Sequence, residues 1–250
     1  MMRLKVYLSS ISKDFFSINY NHFLMRIVYD LISQENITLG KMLHSMNGPK
    51  PFTFSRIMLR NYNVEKDRIT VYKGTKAEII ISSIEEAIIE SIVNTLIKKD
   101  FVKIGNARFY VDKFEVYAKN ISCQEKFVLL SPIVISKPVD RNGKLYHEFL
   151  EPQSDEFVDR FVRNLKKRYE ILIGKKAGDV EFIPDTEYIN THCTSKLIDM
   201  KGTKIKAHIF PFTLKGDKKL IEFGYYAGFG ERTAQGFGCA EVIEIDRKDL

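Results

Sequence analysis

The chain has 250 residues, of which 44% are hydrophobic and 28% charged, and its formal net charge is +7. This length accommodates one large domain or two small ones, each with a buried core. The three cysteines are scattered without a Cys-x-x-Cys pair, which argues against a disulfide framework and a structural zinc site and favours the cytoplasm. We expect neither a signal peptide nor a membrane span, because no apolar run approaches about eighteen residues. The positive charge suits an anionic partner such as nucleic acid.

The first half predicts the element order β-α-β-β-α-β, which is the ferredoxin-like arrangement. Strands are predicted from alternating apolar residues, and helices from apolar stripes at helical spacing or from capping-box pairs. In chain order the predicted elements are a strand at 3–8, a helix at 19–33, short strands at 52–59, 69–72 and 77–81, a helix opened by Ser82/Glu85 and Ser83/Glu86, and a strand at 108–118.

The second half indicates a less regular repeat of the same order. Its second helix is only weakly indicated, around residues 185–197. The remaining predicted elements are a strand at 127–135, a polar turn at 140–143, a helix at 154–173, strands at 204–212 and 219–226, a glycine-rich loop, and a final strand at 237–245.

Residues 224–238 hold five of the fourteen glycines. Glycine permits positive φ, and the exposed N–H groups of such a loop can bind phosphate oxygens. Thr233 stands where a dinucleotide loop needs its third glycine, and Phe237 follows Gly236 where a P-loop needs lysine. What remains is an aromatic-bearing hairpin loop with one cation, Arg232, which either contacts phosphate or is simply a surface loop.

The positive charge is concentrated in the predicted helix at 154–173. Residues 160–176 contain seven cations and a single anion, Glu170. Phe161, Leu165 and Tyr169 recur at helical spacing, so the helix is amphipathic with a basic outer face. Such a face either binds RNA or DNA or is merely solvated.

Tyr29, His44 and Lys50 are candidate functional residues near the N-terminus. On a helical wheel Tyr29 falls opposite the apolar stripe of the first helix, beside His22, and we expect it to point away from the core. His44 and Lys50 bracket a short loop containing Gly and Pro, where functional groups are often mounted. Taken singly, each residue is more often structural or solvated.

Three segments together resemble the Cas-six endoribonucleases, the CRISPR-associated enzymes that cut the repeat–spacer transcript within each repeat. They are Tyr20-Asn21-His22, the run Leu43-His-Ser-Met-Asn-Gly-Pro-Lys-Pro-Phe-Thr-Phe-Ser55, and Gly228-Phe-Gly230…Gly236-Phe-Gly238. The middle segment is the more specific mark, since the glycine motif is shared by the wider RAMP superfamily. The resemblance implies an α+β fold of two tandem ferredoxin-like (RRM-like) domains, which we place at residues 1–122 and 123–250.

The resemblance also implies a chemistry that needs neither metal nor cofactor. The ribose 2′-OH attacks the adjacent phosphate and leaves a 2′,3′-cyclic phosphate and a 5′-OH, with Tyr29, His44 and Lys50 as the catalytic set. His44 would be the general acid to the leaving oxygen, Tyr29 would position or deprotonate the 2′-OH, and Lys50 would stabilise charge on the phosphate. The Tyr/His division could be reversed, and His22 is a reserve candidate that equally suits helix capping.

The expected partner is CRISPR repeat RNA in the precursor transcript. The sequence leaves open whether the protein joins an effector complex or forms a homodimer. The residues expected to bind RNA lie in the glycine-rich loop (Gly228, Gly230, Arg232, Gly236 and Gly238) and on the basic helix (Arg163, Lys166 and Lys167).

Two alternatives remain. A non-catalytic RAMP-type protein that holds repeat RNA would have no need of Tyr29, His44 and Lys50 at one loop. A nucleotide-using enzyme of ferredoxin-like fold would need clustered carboxylates for magnesium. The nearest such cluster, at residues 85–90, is better explained as a solvated helix face.

Overall fold

The computed structural model describes residues 1–243. The first half contains, in chain order, β1 (Met2–Ser10), β2 (Asp14–Ser17), α1 (Asn21–Glu35), α2 (Ile37–Ser45), β3 (Phe52–Phe54), β4 (Met58–Leu59), β5 (Tyr62–Glu65), β6 (Arg68–Val71), β7 (Lys76–Ser83), α3 (Glu86–Ile97), β8 (Phe101–Ile104) and β9 (Ala107–Tyr117). The second half contains β10 (Gln124–Leu129), β11 (Ser136–Arg141), β12 (Lys144–Phe149), α4 (Asp155–Ile173), β13 (Val180–Pro184), α5 (Thr186–Thr191), β14 (Ser195–Met200), β15 (Thr203–His208), β16 (Phe212–Gly216), α6 (Lys218–Ala227), a short 3-10 helix (Thr233–Gln235) and β17 (Ala240–Val242).

The first half is a ferredoxin-like domain, as predicted. Its antiparallel sheet has the order β3-β7-β1-β9-β8, with β4 also pairing with β7. Helices α1 and α3 are the two crossover connections and pack on each other and on this sheet. Leu24, Val28 and Ile32 recur every four residues on the buried side of α1 and are each at most 3% exposed, which is why the helical prediction succeeded there.

The second half repeats the arrangement, so the α+β fold of two tandem ferredoxin-like domains is confirmed. Its sheet has the order β13-β16-β10-β17, with α4 and α6 as the crossover helices. Helix α4 has the predicted extent because both ends carry clear signals. The Ser154 hydroxyl accepts a hydrogen bond from the Phe157 N–H, and Gly174 takes φ of 71° just past the end.

The second crossover helix was predicted at the wrong place. Residues 219–226, predicted as a strand, belong to helix α6, which Asp217 caps by accepting hydrogen bonds from the N–H groups of Lys219 and Leu220. The run is short and contains the β-branched and aromatic residues Ile221, Phe223, Tyr225 and Tyr226, so it could not be told from a buried strand by pattern alone. The weak helix predicted at 185–197 is instead the short α5 followed by β14.

Other strand bounds also differ from the prediction. The strand predicted at 127–135 is β10 and ends at Leu129, and the one predicted at 204–212 divides between β15 and the start of β16. The final strand is β17, and the end of its predicted span, residues 244–245, lies outside the described residues. Within the described chain, no helix has the length and apolar character needed to cross a bilayer.

Candidate active site

Helix α2, which the sequence analysis did not predict, determines where Tyr29 and His44 lie. The helix begins after Asn36, whose side chain accepts a hydrogen bond of 2.9 Å from the Leu39 N–H, and His44 lies in its last turn. Helix α2 packs on α1, so the ring of Tyr29 lies 4.5 Å from that of His44 and 5.6 Å from that of Phe52, between centroids. Tyr29 is only 9% exposed. The expectation that it points away from the core is wrong, because α2 covers that face of α1.

The three candidate residues have different surroundings. Burial raises the pKa of Tyr29 above its ordinary value, so its hydroxyl keeps its proton at neutral pH. Lys50 follows α2 in the loop before β3, and its ammonium donates a hydrogen bond to the Met46 carbonyl. Partial burial lowers the pKa of Lys50. His44 is exposed and can therefore meet a bound substrate.

Tyr29 and Lys50 line a cleft of about 410 Å³ between the two domains. One wall comes from α1 and the loop after α2, and the other from α4 and the segment after α6. His44 does not line the cleft, but its ring contacts the ring of Tyr29, which does. The polar side chains that line the cleft include Tyr29, Lys50, Asn164, Lys167, Arg168 and Arg232.

Arg168 fixes the glycine-rich segment against α4. Its guanidinium is fully buried and donates hydrogen bonds to the carbonyls of Ala227, Gly228 and Gly230, at 2.7–3.1 Å, and to the Thr233 hydroxyl at 3.3 Å. Burial lowers the pKa of Arg168 to about 10, which still leaves it charged at neutral pH. A cation at the C-terminal end of α6 is also favoured by the helix dipole. Arg168 is therefore structural, and Arg232 is left free to face the cleft.

The glycines of this segment serve packing more than phosphate contact. The segment follows helix α6 rather than a strand, so it is not the hairpin loop that was predicted. A Cβ atom at Gly228 would lie 2.7 Å from Thr53 Cβ, and one at Gly238 would collide with the Phe229 carbonyl. Gly228, Gly236 and Gly238 are buried and do not line the cleft, whereas Gly230 does.

The basic helix contributes fewer cations to the cleft than was expected. Lys167 is exposed and lines it. Lys166 instead forms an ion pair of 2.5 Å with Asp179, and Arg163 is exposed outside the cleft lining. The reserve candidate His22 also lies outside that lining, and its Nδ1 is 3.1 Å from the Asn19 carbonyl. Its ring lies 3.8 Å from that of Phe23, between centroids, so it has a packing role, and the start of α1 has no side-chain cap.

Sequence reasoning missed Asn164 and misplaced Arg168 on the outer face. Helical spacing contained the signal, because residues 164, 167, 168 and 171 share one face of α4, and all four line the cleft. In residues 1–243 no group of three or more His, Cys, Asp or Glu side chains is arranged to hold a metal ion.

The chain belongs to the Cas6 family of CRISPR-associated proteins. Residues 6–115 match the family described as CRISPR-associated protein Cas6, N-terminal, and residues 114–242 match CRISPR associated protein Cas6, C-terminal. These two matches meet near residue 115, and the division at residues 122/123 stays a prediction.

Individual relatives agree with this family. The chain is 30% identical to CRISPR-associated endoribonuclease Cas6 1 of Methanocaldococcus jannaschii, over 99% of this chain and 94% of the relative. It is 29% identical to an endoribonuclease-like protein, Cas6nc, of Pyrococcus horikoshii, over 90% of this chain and 92% of the relative. A solved structure described as an RAMP protein binding different RNA substrates superposes with a TM-score of 0.82 at 27% identity, covering 98% of this chain and all of that one.

Proposed function

We propose that this protein is an endoribonuclease that cleaves CRISPR repeat RNA within the precursor transcript, without a metal ion. The ribose 2′-OH attacks the adjacent phosphate and leaves 2′,3′-cyclic phosphate and 5′-OH ends. The observation that carries the proposal is the contact of the Tyr29 ring with the ring of exposed His44, 4.5 Å apart and tilted by 34°, at a cleft that Tyr29 shares with Lys50. These residue types supply a hydroxyl, a proton carrier and a cation at one place.

The surroundings of each group assign its role. Tyr29 is a poor base because burial raises its pKa, so it hydrogen-bonds and positions the 2′-OH. The proton of the 2′-OH passes to water or to a non-bridging oxygen of the scissile phosphate as the bond from the 2′-oxygen to phosphorus forms. An imidazole exchanges protons near neutral pH, and His44 delivers a proton to the 5′-oxygen as the bond from phosphorus to that oxygen breaks. The Lys50 ammonium stabilises the charge that develops on the scissile phosphate.

The cleft also supports the binding of RNA. Lys167 and Arg232 line it together with Lys50, so three cations are placed to contact successive phosphates. Such contacts release counterions from the RNA, and binding should therefore weaken as salt is raised. Arg232 lies in the segment that Arg168 anchors, which makes it a fixed contact rather than a mobile one.

A non-catalytic RNA-holding protein is the second candidate. The observation that favours it is that the His44 ring makes no hydrogen bond with any other group in residues 1–243 to orient it. Substrate contacts would have to supply that orientation during cleavage, because catalytic hydrogen bonds often tighten only in the complex.

The test is single-turnover cleavage of the host's repeat RNA, measured beside RNA binding. We expect His44→Ala to slow cleavage by about 10²–10⁴-fold while binding changes little. His192→Ala is the matched control, since His192 is an exposed histidine stacked on Tyr188 at the end of α5, and it should cut like the wild type. A wild type that binds but never cuts would establish the RNA-holding alternative, and equal cutting by His44→Ala would redirect attention to His22.

Two further arms test the mechanism. RNA with hydrogen in place of the 2′-OH at the cut site should bind but remain intact, because the proposed nucleophile is missing. Cleavage of normal RNA should persist in EDTA. If the deoxy substrate is cut, water is the nucleophile; if chelation stops cleavage, the metal-independent chemistry is wrong.

A further inference from the structure

Asn164 is a polar residue of the cleft that the proposed chemistry does not use. It lies on α4, one turn before Arg168, and lines the cleft. Its side-chain oxygen is buried and has no hydrogen-bond donor in residues 1–243. Buried acceptors are almost always satisfied, by protein, water or ligand. Asn164 as a whole is partly exposed, so its unpaired amide oxygen can gain a donor if the amide turns toward a group that enters the cleft.

The lining of the cleft suits a whole nucleotide rather than a phosphate alone. Lys50, Lys167 and Arg232 provide cations for phosphate oxygens, whereas Met25 and Ile171 offer only apolar surface. Ile171 is 54% exposed, so it has apolar surface that a ligand in the cleft could cover. An apolar side chain has nothing to offer a phosphate, but it can pack on the face of an unstacked base.

The other polar groups of the cleft are less able to read a base. Both carboxylate oxygens of Glu231 accept hydrogen bonds of 2.8 Å from Ser136, one from its N–H and one from its hydroxyl. The hydroxyl of Thr233 accepts from Arg168. Gln235 is the remaining amide that lines the cleft, and its side-chain oxygen and nitrogen are not among the buried atoms that lack a partner.

We infer that Asn164 is a specificity-determining residue that reads the base of a nucleotide next to the scissile phosphate, and that this base is adenine. The amide of asparagine offers one donor and one acceptor side by side, and adenine and cytosine both present the matching amino group and ring nitrogen. Adenine is the larger of the two bases and covers more of the apolar surface of Met25 and Ile171, which favours it over cytosine. The inference rests on the proposed function, because it places the reacting nucleotide in this cleft.

The experiment compares repeat RNAs that carry each of the four bases at the two nucleotides flanking the cut. Single-turnover rates and dissociation constants are measured for each RNA. At one of the two positions, the wild type should prefer adenine by about 5- to 150-fold, the discrimination of one bidentate contact. Asn164→Ala should lose this preference, and Asn164→Asp should lose it as well, because a carboxylate of the same shape cannot donate to the ring nitrogen.

Two variants serve as controls. Asn94→Ala removes an exposed asparagine on α3 and should keep both the rate and the base preference. Gln235→Ala should keep the preference for adenine. The inference is overturned if the wild type cuts all four RNAs alike, if it prefers another base, if the preference survives in Asn164→Ala, or if it is lost only in Gln235→Ala.

The proposed function and this inference fail in different ways. If the protein cuts none of the RNAs, the proposed endoribonuclease activity is wrong. The dissociation constants for the four RNAs then still decide whether Asn164 discriminates adenine from the other bases. If it cuts every RNA at the same rate and binds them equally, the enzyme stands and the reading of adenine by Asn164 is rejected.

Discussion

Burial acts in opposite directions on the proton affinities of Tyr29 and Lys50. It raises the pKa of the tyrosine and lowers that of the lysine, because in both cases a half-desolvated site disfavours the charged form. Tyr29 therefore stays neutral through the physiological range. Lys50 loses its charge at a lower pH than an exposed lysine would. An imidazole acid loses its proton near neutral pH, so in the proposed reaction the loss of charge on Lys50 causes a second decline at higher pH.

The lowered pKa of Lys50 predicts how the rate of cleavage depends on pH. As pH rises through the lowered pKa of Lys50, the fraction of charged ammonium falls and the single-turnover rate should fall with it. Lys50→Arg keeps the charge at residue 50 to a much higher pH. The decline in rate caused by loss of that charge should therefore move to higher pH in this variant, even if its rate at neutral pH is lower. The measurement is the rate of cleavage against pH from neutrality to the alkaline limit of protein stability.

A matched control comes from the same cleft. Lys167 is exposed, and Lys167→Arg should leave the alkaline decline where the wild type has it. An unmoved decline in Lys50→Arg would mean that another group loses its proton there, and the role of Lys50 would have to be withdrawn.

At the scale of single elements, the helices differ in how far the sequence could predict them. Helix α4 was predicted with its bounds because its buried stripe, its charged face, Ser154 and Gly174 all agree. Helix α6 was not, because it has only ten residues and its β-branched and aromatic residues are equally typical of a buried strand. The missed helix α2 is short, yet its Asn36 cap was a readable signal.

The geometry of the candidate site could not be predicted from the sequence. Tyr29, His44 and Lys50 were named as the catalytic set from the family resemblance, and that set stays a prediction. The structure puts the ring of Tyr29 against that of His44 and places Tyr29 and Lys50 in the lining of one cleft. The wheel argument for Tyr29 failed because a single helix cannot reveal that a second one will cover it. Likewise, Arg168 looked like any other cation of a basic face, since only the fold places the carbonyls of Ala227, Gly228 and Gly230 around it.

The anchoring of the glycine-rich segment by α4 predicts a specific loss of stability. Arg168→Met would leave three buried carbonyls without their donor. We expect the free energy of unfolding to fall by about 1.5–3 kcal/mol or more, because one hydrogen bond to a charged group alone contributes that much. Urea unfolding measures this free energy. Without urea, the same variant should cleave RNA more slowly than the wild type, because Arg232 is no longer held at the cleft.

Exposed Arg163, on the same helix, provides the comparison. Arg163→Met should change the free energy of unfolding by no more than about 0.5 kcal/mol, as is usual at the surface. Equal stability of Arg168→Met and the wild type would show that the segment does not depend on its guanidinium.

At the scale of the whole molecule, the cleft exists because the two domains are held in a fixed relation. Arg3 on β1 of the first domain contacts two elements of the second. Its guanidinium lies 2.8 Å from the carboxylate of Glu241 on β17 and 3.9 Å from the ring centroid of Tyr225 on α6. The Thr53 hydroxyl of β3 donates a hydrogen bond of 2.9 Å to the Phe237 carbonyl. Each domain supplies one wall of the cleft, so we expect contacts between the domains outside the cleft to affect the spacing between Lys50 and Lys167.

Arg3 is the strongest test of that arrangement. It is fully buried, and besides Glu241 it donates hydrogen bonds to the Ser82 hydroxyl and the Ala240 carbonyl. Arg3→Met should lower the free energy of unfolding by about 1.5–3 kcal/mol, because buried acceptors lose a charged donor, whereas Glu241 is 26% exposed and keeps a hydrogen bond of 2.7 Å from the Tyr225 hydroxyl.

The neighbouring lysine on β1 separates this effect from a general loss of charge. Lys5 forms a partly exposed ion pair of 2.8 Å with Glu78, and Lys5→Met should cost no more than about 1 kcal/mol. If the domain contact sets the spacing of the cleft walls, Arg3→Met should also slow cleavage under conditions where it is still folded, while Lys5→Met should not. Similar unfolding and cleavage by the two variants would place the determinant of the cleft elsewhere in the interface, with the hydrogen bond from Thr53 to Phe237 as the next contact to remove.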